Sequence, residues 1–275
     1  MKRLIVPIDF SMLSRHAYDF ALPIAEALSA EVVLLHAYRV PETVPGDVEH
    51  ELAWLDGERQ RVTERLEQFL LAGNATTQVP VSANLVEDFP EEGVASWATR
   101  QSADLIIMGT EGPHDLGPEG TDSHGLRVVN ASSVPVLLVP DGSPLRLPKT
   151  LVFAVDFVDE DAGLVRSLQS LAYRLGARLR VMHVREQAVF DDQAAYRRYQ
   201  ATFHEILDDE RSSFDLVRGS DVAQVLEDTL AEGQDQWLVL RTRHRASSGL
   251  TDDSLTRAMA WHSRVPLLSF PAPVS

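Results

Sequence analysis

"LIVPIDF", Leu4 to Phe10, decides how this chain is read, because it occurs twice. "LVFAVDF", Leu151 to Phe157, repeats it 147 residues later. "LSAEVVLLHAYR" (Leu28 to Arg39) and "LGARLRVMHVRE" (Leu175 to Glu186) stand at the same offset, so Asp9 pairs with Asp156 and His36 with His183. Further on, "ADLIIMGT" answers to "DQWLVLRT". "DSHGLRVVNASSVPVLLVP" (Asp122 to Pro140) answers to "DSLTRAMAWHSRVPLLSFP" (Asp253 to Pro271), now at an offset of 131. The second copy is therefore shorter in its middle. "PDGSPLRLPKT", Pro140 to Thr150, has the Pro/Gly/Ser character of a linker, which places two domains at 1–143 and 149–275.

Each copy alternates short apolar runs with longer amphipathic ones. In the first, strands are expected near 3–8, 31–37, 78–85, 103–108 and 135–139. Residues 11–29 put Ala17, Phe20, Ala21, Ile24 and Leu28 on one helical face; residues 47–72 do the same with Leu52, Leu55, Val62, Leu66 and Phe69. The runs 31–37 and 103–108 are nearly all apolar, as strands covered on both faces are. Strand and helix in alternation mean βαβ units, a parallel sheet and right-handed crossovers. Ligands of such sheets bind beyond the carboxyl ends of the strands, where the winding reverses.

Composition removes several classes of function. The net charge of −16 argues against a general nucleic-acid binder, which needs a basic footprint. The acidity is uneven: residues 1–145 carry a net −13 and residues 146–275 a net −3. With no cysteine, disulfides, thiol nucleophiles and Cys-ligated zinc are excluded. No apolar run reaches the roughly 18–20 residues of a membrane span. "MKRLIVPIDFS" reads as a strand rather than a leader, so a cytoplasmic protein is expected. His114-Asp115 and Glu49-His50-Glu51 have no spacing that gathers metal ligands. No Ser/His/Asp set has a nucleophile-elbow context, so no enzyme is expected. His36 and His183, at the ends of apolar strands, read as hydrogen-bonded core histidines. Trp97 and Trp237 read as core.

"LIVPIDFS", "VVLLHAY", "ADLIIMGT" and "VPVLLVP" together resemble the universal stress protein family, in a tandem two-domain form. The resemblance covers both halves and is stronger in the first. It implies a Rossmann-like domain in each half, a five-stranded parallel sheet of order 3-2-1-4-5 with helices on both faces, and it allows a homodimer. It further implies that the closing strands, 135–139 and 266–270, lie at sheet edges. Because an apolar edge invites pairing, the two domains are expected to pair through these strands. By the same resemblance, Pro7, Ile8, Asp9 and Ala37 would line an adenosine pocket, with Asp156 and Val184 their matches. Asp9 has a second reading, as part of a helix cap with Ser11.

Family members that bind ATP carry G-x-x-G, nine residues, then G-[S/T]. Here Gly109 and Gly112, after Met108, supply the first part, and the spacing is kept. The expected glycine is Asp122, followed by Ser123. An Asp at that point is a good N-cap, able to take the helix's free N–H groups for itself, and its charge would oppose phosphate. In the second copy the glycines become Arg241 and His244, and Asp253-Ser254 replaces Gly-Ser. Arginine there either holds a phosphate or carboxylate through its forked donors or belongs to a solvated basic loop. The sequence thus predicts a non-catalytic stress-response protein with degenerate ATP-binding motifs and no cofactor, acting through an unknown protein partner. The alternative is an adenine-nucleotide-binding switch, for ATP or AMP, using the first-domain loop.

Overall fold

The computed structural model describes residues 2–38, 48–72, 77–88, 90–111, 123–155, 162–185, 210–231, 233, 235–242 and 253–271, with Arg197, Phe203 and Leu207 as single positions. The first copy runs β1 (Lys2–Pro7), α1 (Met12–Leu28), β2 (Ala30–Tyr38), α2 (Val48–Leu71), β3 (Val81–Glu87), α3 (Pro90–Arg100), β4 (Leu105–Thr110), α4 (His124–Ala131) and β5 (Val136–Pro140). The second runs β6 (Thr150–Ala154), α5 (Ala162–Leu175), β7 (Arg178–Arg185), β8 (Ser212–Arg218), α6 (Val222–Ala231), β9 (Gln236–Arg241), α7 (Asp253–His262) and β10 (Leu267–Phe270). Two compact units result, one built on β1 to β4, the other on β6 to β10.

The strand order is β3-β2-β1-β4-β5 in the first copy and β8-β7-β6-β9-β10 in the second, the expected 3-2-1-4-5 in each. Registers repeat along with order. Leu4 lies beside Val32 in β1 and β2, and Leu151 beside Leu179 in β6 and β7, all at the 147 offset. Val32 then meets Val81, and Leu179 meets Ser212, where the offset has fallen to 131. The missing residues lie between the second and third strands: 42 residues separate β2 from β3, and 26 separate β7 from β8.

Local chemistry explains the element ends. The Ser14 N–H donates to Ser11 Oγ at 3.1 Å, which caps α1. Ser29, in the left-handed region at φ 51°, closes the helix. Ala17, Phe20, Ala21, Ile24 and Leu28 are all buried, as the helical spacing predicts. Val62, Leu66 and Phe69 of α2 are buried too, while the Leu52 and Leu55 side chains lie outside the described residues. Strand β3 begins later than expected because Pro80 has no N–H to give a ladder; its carbonyl accepts from Val32 and pairing proper starts at Val81. Trp237 is core, whereas Trp97 is half-buried. Among the described residues no helix is long and apolar enough to cross a membrane.

Candidate functional site

The carboxyl ends of β1, β2 and β4 carry most of the sequence-predicted positions of the first copy. Pro7 ends β1; Ile8 is buried and its N–H donates to the Leu35 carbonyl at 2.9 Å. Ala37 sits one residue before the end of β2, and Met108 and Gly109 in the last turn-ward residues of β4. Gly112 and Asp122 lie outside the described residues.

Asp9 hydrogen-bonds into the turn that starts α1. Its Oδ1 accepts from the Ser11 N–H at 2.9 Å, and Ser11 in turn caps α1. Burial pushes the Asp9 carboxyl up, but the hydrogen bonds from Ser11 and Ser14 outweigh it and hold the group below the usual carboxylate range. Gly109 has a steric reason to be glycine. A Cβ there would stand 2.5 Å from the Leu13 carbonyl oxygen, so the end of β4 runs directly against the start of α1.

At α4 the structure differs from the sequence reading. The N-cap is Ser123, not Asp122: Ser123 is extended, at φ −64° and ψ 154°, and its Oγ accepts from the Leu126 N–H at 3.3 Å. The N-cap is the residue just before the first helical one, and α4 begins at His124, so the role falls to Ser123. The first turn carries two basic side chains, His124 and Arg127. Both meet the largely buried Glu91 of α3, at 2.6 Å from His124 Nδ1 and 3.4 Å from Arg127 Nη1. Burial raises the Glu91 carboxyl, but its own backbone N–H, His124 and Arg127 together pull it below the ordinary value.

His36 is hydrogen-bonded as expected but half-buried rather than core. Its Nδ1 donates to the Ile8 carbonyl at 2.6 Å, and His183 Nδ1 repeats the bond to the Val155 carbonyl at 2.8 Å. Burial lowers the His36 pKa, helped by Arg65 and opposed by the Ile8 bond and Asp9. Phe10, at a positive φ of 67°, packs on the His36 ring at 4.6 Å. Arg65 covers Phe10 at 4.2 Å from the ring centroid, and Arg15 covers Phe69 at 3.4 Å. The sequence reading missed Phe10, Arg65 and Glu91. Arg65 and Glu91 look like any polar position of a helix, and only the fold brings them to strand ends and α4.

In the second copy, Val184 and Arg241 stand at or beside the ends of β7 and β9, and Asp253 and Ser254 open α7. Asp156 and His244 lie outside the described residues. Among the described residues, no group of three or more His, Asp or Glu side chains could hold a metal ion.

The universal stress protein family model matches residues 1–140. A universal stress protein of Thermus aquaticus is 33% identical over 139 residues, which are half of this chain and 98% of that relative. One of Synechocystis is 31% identical over 146 residues, covering half of this chain and 85% of the relative. In fold, a universal stress protein of Archaeoglobus fulgidus matches with a TM-score of 0.73 at 17% identity, over 98% of both chains. The cytoplasmic domain of a prokaryotic cation chloride cotransporter matches with a TM-score of 0.54 at 14% identity, over 98% of this chain and 94% of that one, so the architecture serves more than one protein type. The opening strand, the registers of the first copy and these sequence matches converge on one assignment: the chain belongs to the universal stress protein family.

Proposed function

We propose that this protein is a non-catalytic stress-response protein whose ATP-binding motifs are degenerate and which acts by associating with a partner protein. The observation that carries this reading is the occupation of the α4 start. A phosphate site at a helix start needs free N–H groups and unspent positive charge. Here Ser123 Oγ takes the Leu126 N–H, and Glu91 takes both His124 and Arg127. The sequence adds Asp122 where the nucleotide-binding pattern has glycine.

Calorimetry with Mg-ATP tests this. Binding weaker than about 1 mM, or roughly 4 kcal/mol of standard free energy, is expected for the unaltered chain. Asp122→Gly should tighten it, since the change removes a charge that repels phosphate. Micromolar Mg-ATP binding by the unaltered chain would favour the nucleotide switch instead.

A further inference from the structure

The segment between the two copies has the composition of a linker, yet it is docked along its length. Residues 137–275 belong to one compact unit, so Asp141 to Lys149 goes with the second copy. Ser143 and Pro148 are buried, while Leu145, Arg146 and Lys149 are exposed. Both basic side chains turn to one carboxylate, Asp235, just ahead of β9. Lys149 Nζ lies 2.6 Å from Asp235 Oδ2, and Arg146 Nη2 pairs with Oδ1. The Asp235 main chain holds the same segment: its carbonyl accepts from the Lys149 N–H at 2.7 Å and from the Thr150 N–H at 3.3 Å.

The backbone part of this grip continues the sheet. Arg178 of β7 donates its N–H to the Lys149 carbonyl at 2.9 Å, so the chain is fixed from Lys149 onward. Arg146 lies earlier, and there the contact with Asp235 is made by side chains. Isolated surface ion pairs contribute little, because two long side chains must be ordered and water screens them. Asp235 is placed to do better: its side chain is 14% exposed, one carboxylate serves two cations, and its own backbone is already fixed to Lys149 and Thr150. In the first copy Ala103 takes the place of Asp235, as "ADLIIMGT" against "DQWLVLRT" and the registers Leu4 to Leu105 and Leu151 to Trp237 establish. The neighbouring Asp104 accepts from the Arg3 backbone N–H at 2.8 Å. The carboxylate that can hold a linker thus stands in the copy where the linker arrives.

We propose that Asp235 is an ionic latch, which through Arg146 and Lys149 keeps the linker shut against the second copy and so decides whether a protease can cut the chain between the copies. Cleavage needs an exposed segment that can leave its own hydrogen bonds. With the latch closed, Arg146 is tied down and the buried Ser143 and Pro148 stay in place on either side of it. Salt opens the latch, because its side-chain part is electrostatic and lies at the surface.

The test is limited digestion of the full chain with subtilisin at low salt, the fragments read by mass spectrometry, for the unaltered protein, Asp235→Asn, Arg146→Gln and the double variant. Cleavage within 141–149 is measured relative to cleavage elsewhere in the chain. Where opening is fast against cutting, this rate follows the population of open linker. Asp235→Asn should raise it about tenfold and Arg146→Gln about threefold. The double variant should match Asp235→Asn, since both changes break one interaction. Roughly 1 M salt should raise the rate in the unaltered protein and leave Asp235→Asn unchanged. Arg146→Gln, at an exposed position, keeps the test valid should Asp235→Asn misfold. Linker cleavage that Arg146→Gln leaves at the unaltered rate overturns the proposal. So does an Arg146→Gln effect that persists in full beside Asp235→Asn, because Arg146 then acts through another partner.

Discussion

His36 Nδ1 lies 2.6 Å from the Ile8 carbonyl oxygen, tying the end of β2 to the chain just beyond β1. In the second copy His183 makes the same bond to Val155, and the backbone repeats as well: Ile8 N–H donates to Leu35 and Val155 N–H to Met182. A histidine that spends one nitrogen on a buried carbonyl and is itself desolvated is best kept neutral, with its proton on Nδ1.

That bond predicts a pH dependence. Burial lowers the folded pKa of His36 below its unfolded value. The unfolded chain therefore binds the extra proton first, and stability is lost as pH falls below about 6.5. His36→Gln should cost about 1 kcal/mol at pH 8, for a weakened hydrogen bond, and should flatten the decline between pH 7 and 5. Thermal melts across that range check it; an unchanged decline in the variant would remove His36 from the account.

Two glycines should respond in opposite directions. Gly109→Ala places a Cβ 2.5 Å from the Leu13 carbonyl oxygen, a backbone atom that cannot swing aside, and should destabilise by about 1–3 kcal/mol. Gly57, inside α2, has nothing within 4 Å of the added atom, so Gly57→Ala should stabilise by about 0.5–1 kcal/mol. Urea denaturation midpoints separate the two.

The cap of α4 is a third point of test. Ser123→Ala leaves the Leu126 N–H without its side-chain acceptor and should cost about 0.5–2 kcal/mol. Ser123→Asp should restore most of it. Equal stability of all three proteins would show that the cap contributes nothing.

Matching serines should behave alike. Ser132 Oγ donates to the Val134 carbonyl and accepts from the Val134 N–H; Ser263 does the same with Val265, 131 residues later. Both serines are buried. Ser132→Ala and Ser263→Ala should each cost about 1–3 kcal/mol, since buried backbone groups lose their partner. Loss at one site and none at the other, by chemical denaturation, would break the equivalence of the two turns.

What the sequence determined by itself was the repeating, short-range part of this protein. The apolar starts of the two repeats, Leu4–Pro7 and Leu151–Ala154, are strands because short apolar runs bury on both faces, and two constant offsets carry the register of one copy onto the other. The buried stripe of α1 follows from a period set within one helix turn. Tertiary structure alone decided which neighbours share a place. Asp122 and Ser123 are both good caps, and the start of α4 at His124 chose Ser123. Gly109 belongs to a motif on paper, but the Leu13 carbonyl, far away in the chain, is what forbids a side chain there. Glu91 meets His124 and Arg127, and the backbone of Leu179 comes to lie beside that of Ser212, only after the elements have found their order. Periodicity is written in neighbouring residues. A site is a meeting of distant ones, and it exists only once the sheet has brought them to the same edge.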